Sequence, residues 1–337
     1  WKNDVVSEGD ASKQVSTDPS AAADVYMFAS DQLGVLMDAK AIGQLGTDAE
    51  KQVKEQNGDL EVNSVTGTDG KLYGVPYTDN TWFMYYNKSK ITEDEAKDFD
   101  TILSKAKVAF SLQNSWYING FYDGLSLFGE KGNDADAGMV FPKDGADITS
   151  YLVDVVANPN FSNDDGASGL AAIKDGSADV LFSGTWSAKD VKEALGDNYA
   201  ATSLPTFTVN GQKKQMKSFA ATKAAAYNPN AKNPKAAAQF AAYLGSTEAQ
   251  KLHYEMRAIP PTDKSLSDLT TDDVAAKAQA DTMANTALLQ SGLSGMNDWW
   301  TPAETFGKAL VNKEITKDNA AAKYQDWVKQ AGGTIAE

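Results

Sequence analysis

The chain contains no cysteine. Disulfides, thiolate metal sites, iron–sulfur clusters and a cysteine nucleophile are excluded together. It has one histidine, His253, and one arginine, Arg257. A multi-histidine metal centre is therefore impossible, and a Ser-His-Asp triad has a single candidate base. His253 falls in a helical stretch and reads as a packed or surface residue rather than a ligand. The 31 basic residues are otherwise all lysine, against 46 acids, for a net charge of −15. That balance argues against nucleic acid and against an anionic membrane surface. No run of 18 or more apolar residues is present, so no segment reads as a membrane-spanning helix. Phosphate-loop, dinucleotide-binding, nucleophile-elbow and zincin motifs are all missing. Residues 133–136 (NDAD) lack the Gly and Glu of a calcium loop. Most of the acids read as a solvated surface, and nothing selects two at glycosidase spacing. No cofactor and no metal are expected. The chain opens with Trp1 and no signal-peptide pattern, so it reads as processed or trimmed.

What is present is length and aromatic content. At about 150 residues per domain, 337 residues suggest two domains. Hydrophobic residues make up 42%, enough for a large core, and there are seven Trp, 13 Tyr and 13 Phe. Residues 24–28 (DVYMF) read as a buried strand, followed by a helix over 31–37. A strand is expected near Val5 and Val6. Turn signals at Asn57-Gly58 and Asp69-Gly70 suggest that 60–65 and 72–75 are paired strands. Residues 81–86 (TWFMYY), 108–112 and 179–183 read as strands. Helices are expected over 93–107 with a Thr92 cap, 115–128, 148–157 and 164–174. Asn210-Gly211 centres a hairpin over 207–214. Helices follow over 234–244, with proline in the first turn, and over 247–256, with a threonine cap. From 272 onward the pattern is almost all helical. Strands alternating with helices indicate an α/β protein with parallel sheets covered on both faces. The lack of a linker implies that the chain crosses between domains more than once.

Several aromatics sit at strand ends among polar neighbours. Phe28 precedes Ala29-Ser30-Asp31-Gln32. Trp116 and Tyr117 follow Gln113-Asn114-Ser115, Trp186 follows Ser183-Gly184-Thr185, and Trp299 and Trp300 follow Asn297-Asp298. Such positions face ligands in α/β folds. Aromatic faces beside amides and carboxylates suit a sugar, whose C–H faces stack while its hydroxyls need polar partners.

These residues resemble the maltose/maltodextrin-binding group of ABC-importer solute-binding proteins. The matching segments are 24–34 (DVYMFASDQLG), 70–88 (GKLYGVPYTDNTWFMYYNK), 179–186 (DVLFSGTW), 204–207 (LPTF), 219–229, 234–250, 257–262 (RAIPPT) and 282 to about 328. They run in family order over most of the chain. The resemblance implies a type II periplasmic-binding-protein-like fold, with two α/β lobes joined by three crossovers. These would fall near 79–83, 219–221 and 272–277. One lobe would be 1–79 with 221–272, and the other 84–217 with 277–337. Sugar would bridge the lobes and stabilise a closed state that a membrane permease recognises.

By the same resemblance, the sugar-contacting positions are Phe28, Asp31 and Gln32, then Asn80 and Trp82 in the first crossover. They continue through Asn114, Ser115, Trp116 and Tyr117 to Trp186. The last pair falls on Trp300 and Thr301, or on Trp299 and Trp300. Stacking positions stay aromatic, while several charged hydroxyl partners become neutral. The family's opening strand and helix, which precede the strand expected near Val5, have no counterpart. The resemblance implies malto-oligosaccharide as ligand, ABC permease subunits as partners, and a monomer. It places the protein outside the cytoplasmic membrane, lipid-anchored or periplasmic. A carboxylate-pair glycosidase, a same-fold receptor for another ligand and a starch-surface adhesin remain alternatives.

Overall fold

The structure, a computed structural model, describes residues 2–6, 8, 10–129 and 132–337. Two sheets organise two lobes. In the first lobe, Ser218–Tyr227 is the central strand. Val25–Ala29 runs antiparallel along one side of it, from Val25 opposite Tyr227 to Ala29 opposite Lys223. Val75–Asn80 runs antiparallel along the other side, with a register shift between Lys223 and Ala224. The centre is built of alanines because space there is short. Ala220, Ala221, Ala224, Ala225 and Ala226 have no exposed surface. A Cβ on Gly74 would lie 3.0 Å from both the Ala224 Cβ and the Phe28 ring. The start of the same strand, Ser218 to Ala220, pairs in parallel with Ala287–Leu289.

In the second lobe, five strands lie in the order Phe161–Asn163, Val108–Phe110, Val180–Ser183, Phe83–Asn87 and Tyr199–Thr202. The first three run parallel to one another. Phe83–Asn87 is antiparallel on both sides. The expectation of parallel sheets is thus corrected: both sheets are mixed or antiparallel. Phe83–Asn87 enters directly from Val75–Asn80 of the other sheet. No crossover helix within one sheet sets its direction, so the rule favouring parallel neighbours does not apply. Separate apolar cores follow. One holds Val15, Phe28, Leu36, Val53 and Val75. A second, larger, holds Trp82, Phe99, Phe110, Phe182, Trp299 and Trp327, and a third, smaller, holds Phe83, Tyr85, Leu181 and Val191.

Much of the local reading holds. Pro234–Leu244 is a helix with its proline in the first turn. Asn210 and Gly211 turn the hairpin at φ of 51° and 77°, the left-handed pair that a two-residue turn demands. Thr92 and Glu95 form a reciprocal capping box, with Thr92 N to Glu95 Oε2 at 2.8 Å and Glu95 N to Thr92 Oγ1 at 3.3 Å.

Other readings are corrected. Residues 60–65 are not a strand: Asp59–Ser64 is a helix with acids in its first turn. Thr47–Gln56 is a helix that the sequence pattern did not reveal. The helix expected over 93–107 breaks at Asp98, whose carboxylate accepts from Thr101 N and starts Phe99–Lys105 afresh. Residues 115–128 are turns with one short 3-10 helix, Ile118–Phe121, and a two-residue strand, Ser126–Leu127. The segment expected as a helix over 164–174 begins at Ser168. Ser246, not Thr247, caps the helix Thr247–Arg257. No strand forms at Val5 and Val6; Val5 is 95% exposed and has no apolar surface to hold it. Among the described residues, Val25–Ala29 pairs with Ser218–Tyr227 alone. Past its outer edge, one bond runs from Ala29 N to Glu8 O at 3.1 Å.

Candidate functional site

A cleft of about 630 Å³ opens where the ends of both sheets meet. Val25–Ala29 delivers Asp31 and Gln32 to it through the turn that follows. Val75–Asn80 delivers Asn80, its last residue. Val180–Ser183 ends at Gly184, and the tight turn after it presents Trp186. The loop after Val108–Phe110 contributes Trp116, and the first turn of Asn297–Val311 contributes Asn297 and Trp300. Three indole rings therefore converge with a carboxylate and several amides. Trp186 is 50% exposed. Its ring lies 6.0 Å from that of Trp116, tilted by 39°. The Trp116 Nε1–H donates to Gln290 Oε1 at 2.9 Å. The ring of Trp300 stands edge-on to Phe219, 6.0 Å away.

Six expected site residues thus line the cleft: Asp31, Gln32, Asn80, Trp116, Trp186 and Trp300. Ser115 and Thr301 do not line it, nor do five more, each of which has a structural reason. Phe28 is fully buried in the first lobe's core, edge-on to Tyr26. Trp82 is fully buried in the second, with its Nε1–H on Trp116 O at 3.0 Å and its ring stacked on Tyr117 at 5.0 Å. Tyr117 is buried with it. Trp299 is fully buried and donates to Ser115 O at 2.9 Å. Asn114 faces its own turn, where its Oδ1 accepts from Trp116 N at 2.8 Å. Trp82, Tyr117, Trp299 and Asn114 therefore act behind the cleft, fixing the loop that carries Trp116.

Gln290, Lys223, Glu8, Ser12 and Asn297 also line the cleft and were not anticipated. Gln290 is anchored by its own N–H to Ala220 O at 2.9 Å. Lys223 Nζ lies 3.6 Å from Glu8 Oε2 and 5.9 Å from the centre of the Trp186 ring. Burial pushes the Glu8 carboxyl upward. The Lys223 charge, a backbone N–H and the Tyr77 hydroxyl outweigh it and hold Glu8 below its ordinary pKa. Burial pushes the Asp31 carboxyl up to about 6, against a bond from its own backbone N–H. A second cavity of about 340 Å³ lies beyond Gln290, between the helix Leu33–Asp38 and residues 289–294. There Gly34 N donates to Gly292 O at 2.9 Å. Among the described residues, no group of three or more His, Cys, Asp or Glu is placed to hold a metal ion, and no helix is long and apolar enough to cross a membrane.

Residues 5–282 match the profile of a family described as bacterial extracellular solute-binding protein. A maltooligosaccharide ABC transporter solute-binding lipoprotein of Streptococcus pneumoniae (strain ATCC BAA-255 / R6) is 29% identical over 240 residues. That match takes in 64% of this chain and only 56% of the lipoprotein. A galactooligosaccharide-binding protein of Bacillus subtilis (strain 168) is 27% identical over 92% of this chain and 78% of its own. A structure solved with acarbose superposes with a TM-score of 0.94 at 44% identity, covering 98% of this chain and 88% of the other.

Proposed function

The chain belongs to the bacterial extracellular solute-binding protein family, and from that premise we propose that it captures malto-oligosaccharides and hands them to an ABC permease. The observation that carries this reading is the convergence of Trp116, Trp186 and Trp300 on one inter-lobe cleft with Asp31, Gln32, Asn80 and Asn297. Stacking rings with a rim of hydrogen-bonding groups fit a pyranose chain. The pneumococcal relative's name and the acarbose-bound neighbour point to the same ligand class.

The cleft closes on its ligand by hinge motion. The hinges lie near 79–83, 219–221 and 272–277. One lobe is 1–79 with 221–272, and the other 84–217 with 277–337. The protein works outside the cytoplasmic membrane, lipid-anchored as the pneumococcal relative's name implies for that protein. Binding rather than hydrolysis is favoured by where the carboxylates stand. Glu8 and Asp31 are the only ones lining the cleft among the described residues. Glu8 is bonded through its carbonyl to Ala29, two residues before Asp31, so both occupy one wall. Glycosidase chemistry needs two carboxylates flanking the bond.

Isothermal titration with maltotriose, maltotetraose and a β-glucan tests the reading. Heat with the α-glucans and none with the β-glucan is expected; silence with every sugar refutes it. Incubation with maltoheptaose should yield no shorter product.

A further inference from the structure

Resting on the reading of the cleft as a saccharide site, we propose that Lys223 is a specificity-determining residue. Its ammonium donates to the rim hydroxyls of the sugar unit that lies on Trp186, and Glu8 holds it in place.

Lys223 is out of character with its strand. It interrupts the run 219–227 (FAATKAAAY), whose alanines are buried on both sides of it. A lysine there loses hydration and rotamer freedom, and an apolar residue would serve the sheet better. The ladder with Val75–Asn80 shifts register between Lys223 and Ala224. Such irregularities re-aim a side chain near functional sites. Here the side chain reaches the cleft, where Lys223 is the only cation among the described lining residues.

The ammonium is held from one side. Glu8 Oε2 lies 3.6 Å from Nζ, while Tyr77 Oη donates to Glu8 Oε1 at 2.8 Å and Ala29 N to Glu8 O at 3.1 Å. An ammonium has three N–H donors, and at 3.6 Å the Glu8 contact is an ion pair longer than a hydrogen bond. On the other side stands Trp186, whose half-exposed ring is centred 5.9 Å from Nζ. A pyranose laid on that ring brings its hydroxyls beside the ammonium. A partly exposed ion pair as long as 3.6 Å adds little stability, whereas a charged donor to a ligand hydroxyl is among the stronger hydrogen bonds. Glu8 is the positioning residue and Lys223 the contact.

The test is calorimetric titration of the full chain with maltotetraose, with melting temperatures measured alongside. Lys223→Met keeps the length of the side chain and removes charge and donors. It should weaken binding by about 10- to 100-fold while leaving the melting temperature nearly unchanged. Lys223→Arg, which keeps a cation, should recover part of the affinity. Glu8→Gln should cost less than Lys223→Met, since the ammonium stays but loses its anchor. Equal or tighter binding by Lys223→Met overturns the proposal, because the ammonium would then only compete with sugar for the Trp186 face. If Lys223→Met does not fold, unchanged affinity in Glu8→Gln overturns it instead. A wild-type chain that binds no malto-oligosaccharide fails at the earlier step, the saccharide reading itself.

Discussion

The indole nitrogen of Trp116 and the amide oxygen of Gln290 lie 2.9 Å apart. This bond ties an aromatic wall of the cleft to a residue bonded in turn to Ala220 of the strand Ser218–Tyr227. Gln290 is buried, so its acceptor has no ready substitute from water. Replacing it with leucine strands the Trp116 N–H and should weaken sugar binding by about 1–3 kcal/mol. Titration calorimetry checks this; an unchanged Kd would mean that Trp116 holds its orientation without Gln290.

Trp186 has the opposite setting, with half its surface open. Trp186→Ala should lose about 2–4 kcal/mol of binding and little stability, because the ring packs on ligand rather than on core. A binding loss below about 0.5 kcal/mol would assign the ring to packing instead. Both affinity and thermal unfolding need measuring, since the difference between them carries the result.

Trp299 and Trp82 should invert that pattern. Both are fully buried, and each indole N–H is satisfied by a backbone carbonyl. Truncation to alanine should cost about 3–5 kcal/mol of stability through cavity formation. Any loss of affinity would be secondary, through the loop that they support. Chemical denaturation of each variant gives the number.

Asp31 makes a pH prediction. Burial raises its carboxyl to about 6 from an ordinary 3.8. The folded state therefore holds this proton more tightly than the unfolded chain does. The stability associated with it is fully present below about 4 and is lost as pH rises through about 6. Asp31→Asn should thus raise stability at pH 7 by about 1–3 kcal/mol and give no gain near pH 4. It should also weaken sugar binding, because a neutral amide accepts hydroxyl protons less strongly than a carboxylate. Melting curves at both pH values, with titration at pH 7, separate the two effects.

How far the sequence could be read depended on whether a signal was local. Asn210-Gly211 and Pro234 act through their own backbone, and both elements formed where expected. Residues 60–65 misled because Leu60 and Val62 alternate like a strand. The Gly58 cap and the acids Asp59 and Glu61 instead start a helix. Residues 115–128 are dense in aromatics without helical spacing, and tertiary packing around Trp82 and Phe110 sets their turns. Within the site, Trp299 and Trp300 are adjacent on one helix and so face about 100° apart, and sequence alone does not choose between them. Phe28 lies next to the cleft-lining Ala29 on its strand, but alternation turns it inward. Trp82 falls between the strands Val75–Asn80 and Phe83–Asn87, where its ring packs on Tyr117 in the core. Glu8, Lys223 and Gln290 converge from segments distant in sequence. Only Lys223 left a trace, as a lone charge in an apolar run.

The uneven exposure of the tryptophans has an optical consequence. Trp82, Trp299 and Trp327 are sealed in the core, while Trp116, Trp186 and Trp300 border the cleft and Trp186 alone among them stands half open. A sugar that covers these rings changes the polarity around the cleft fluorophores and leaves the buried ones untouched. The protein therefore carries its own reporter. A shift in intrinsic emission on adding ligand would register cleft occupancy, and Trp186→Phe should abolish most of it.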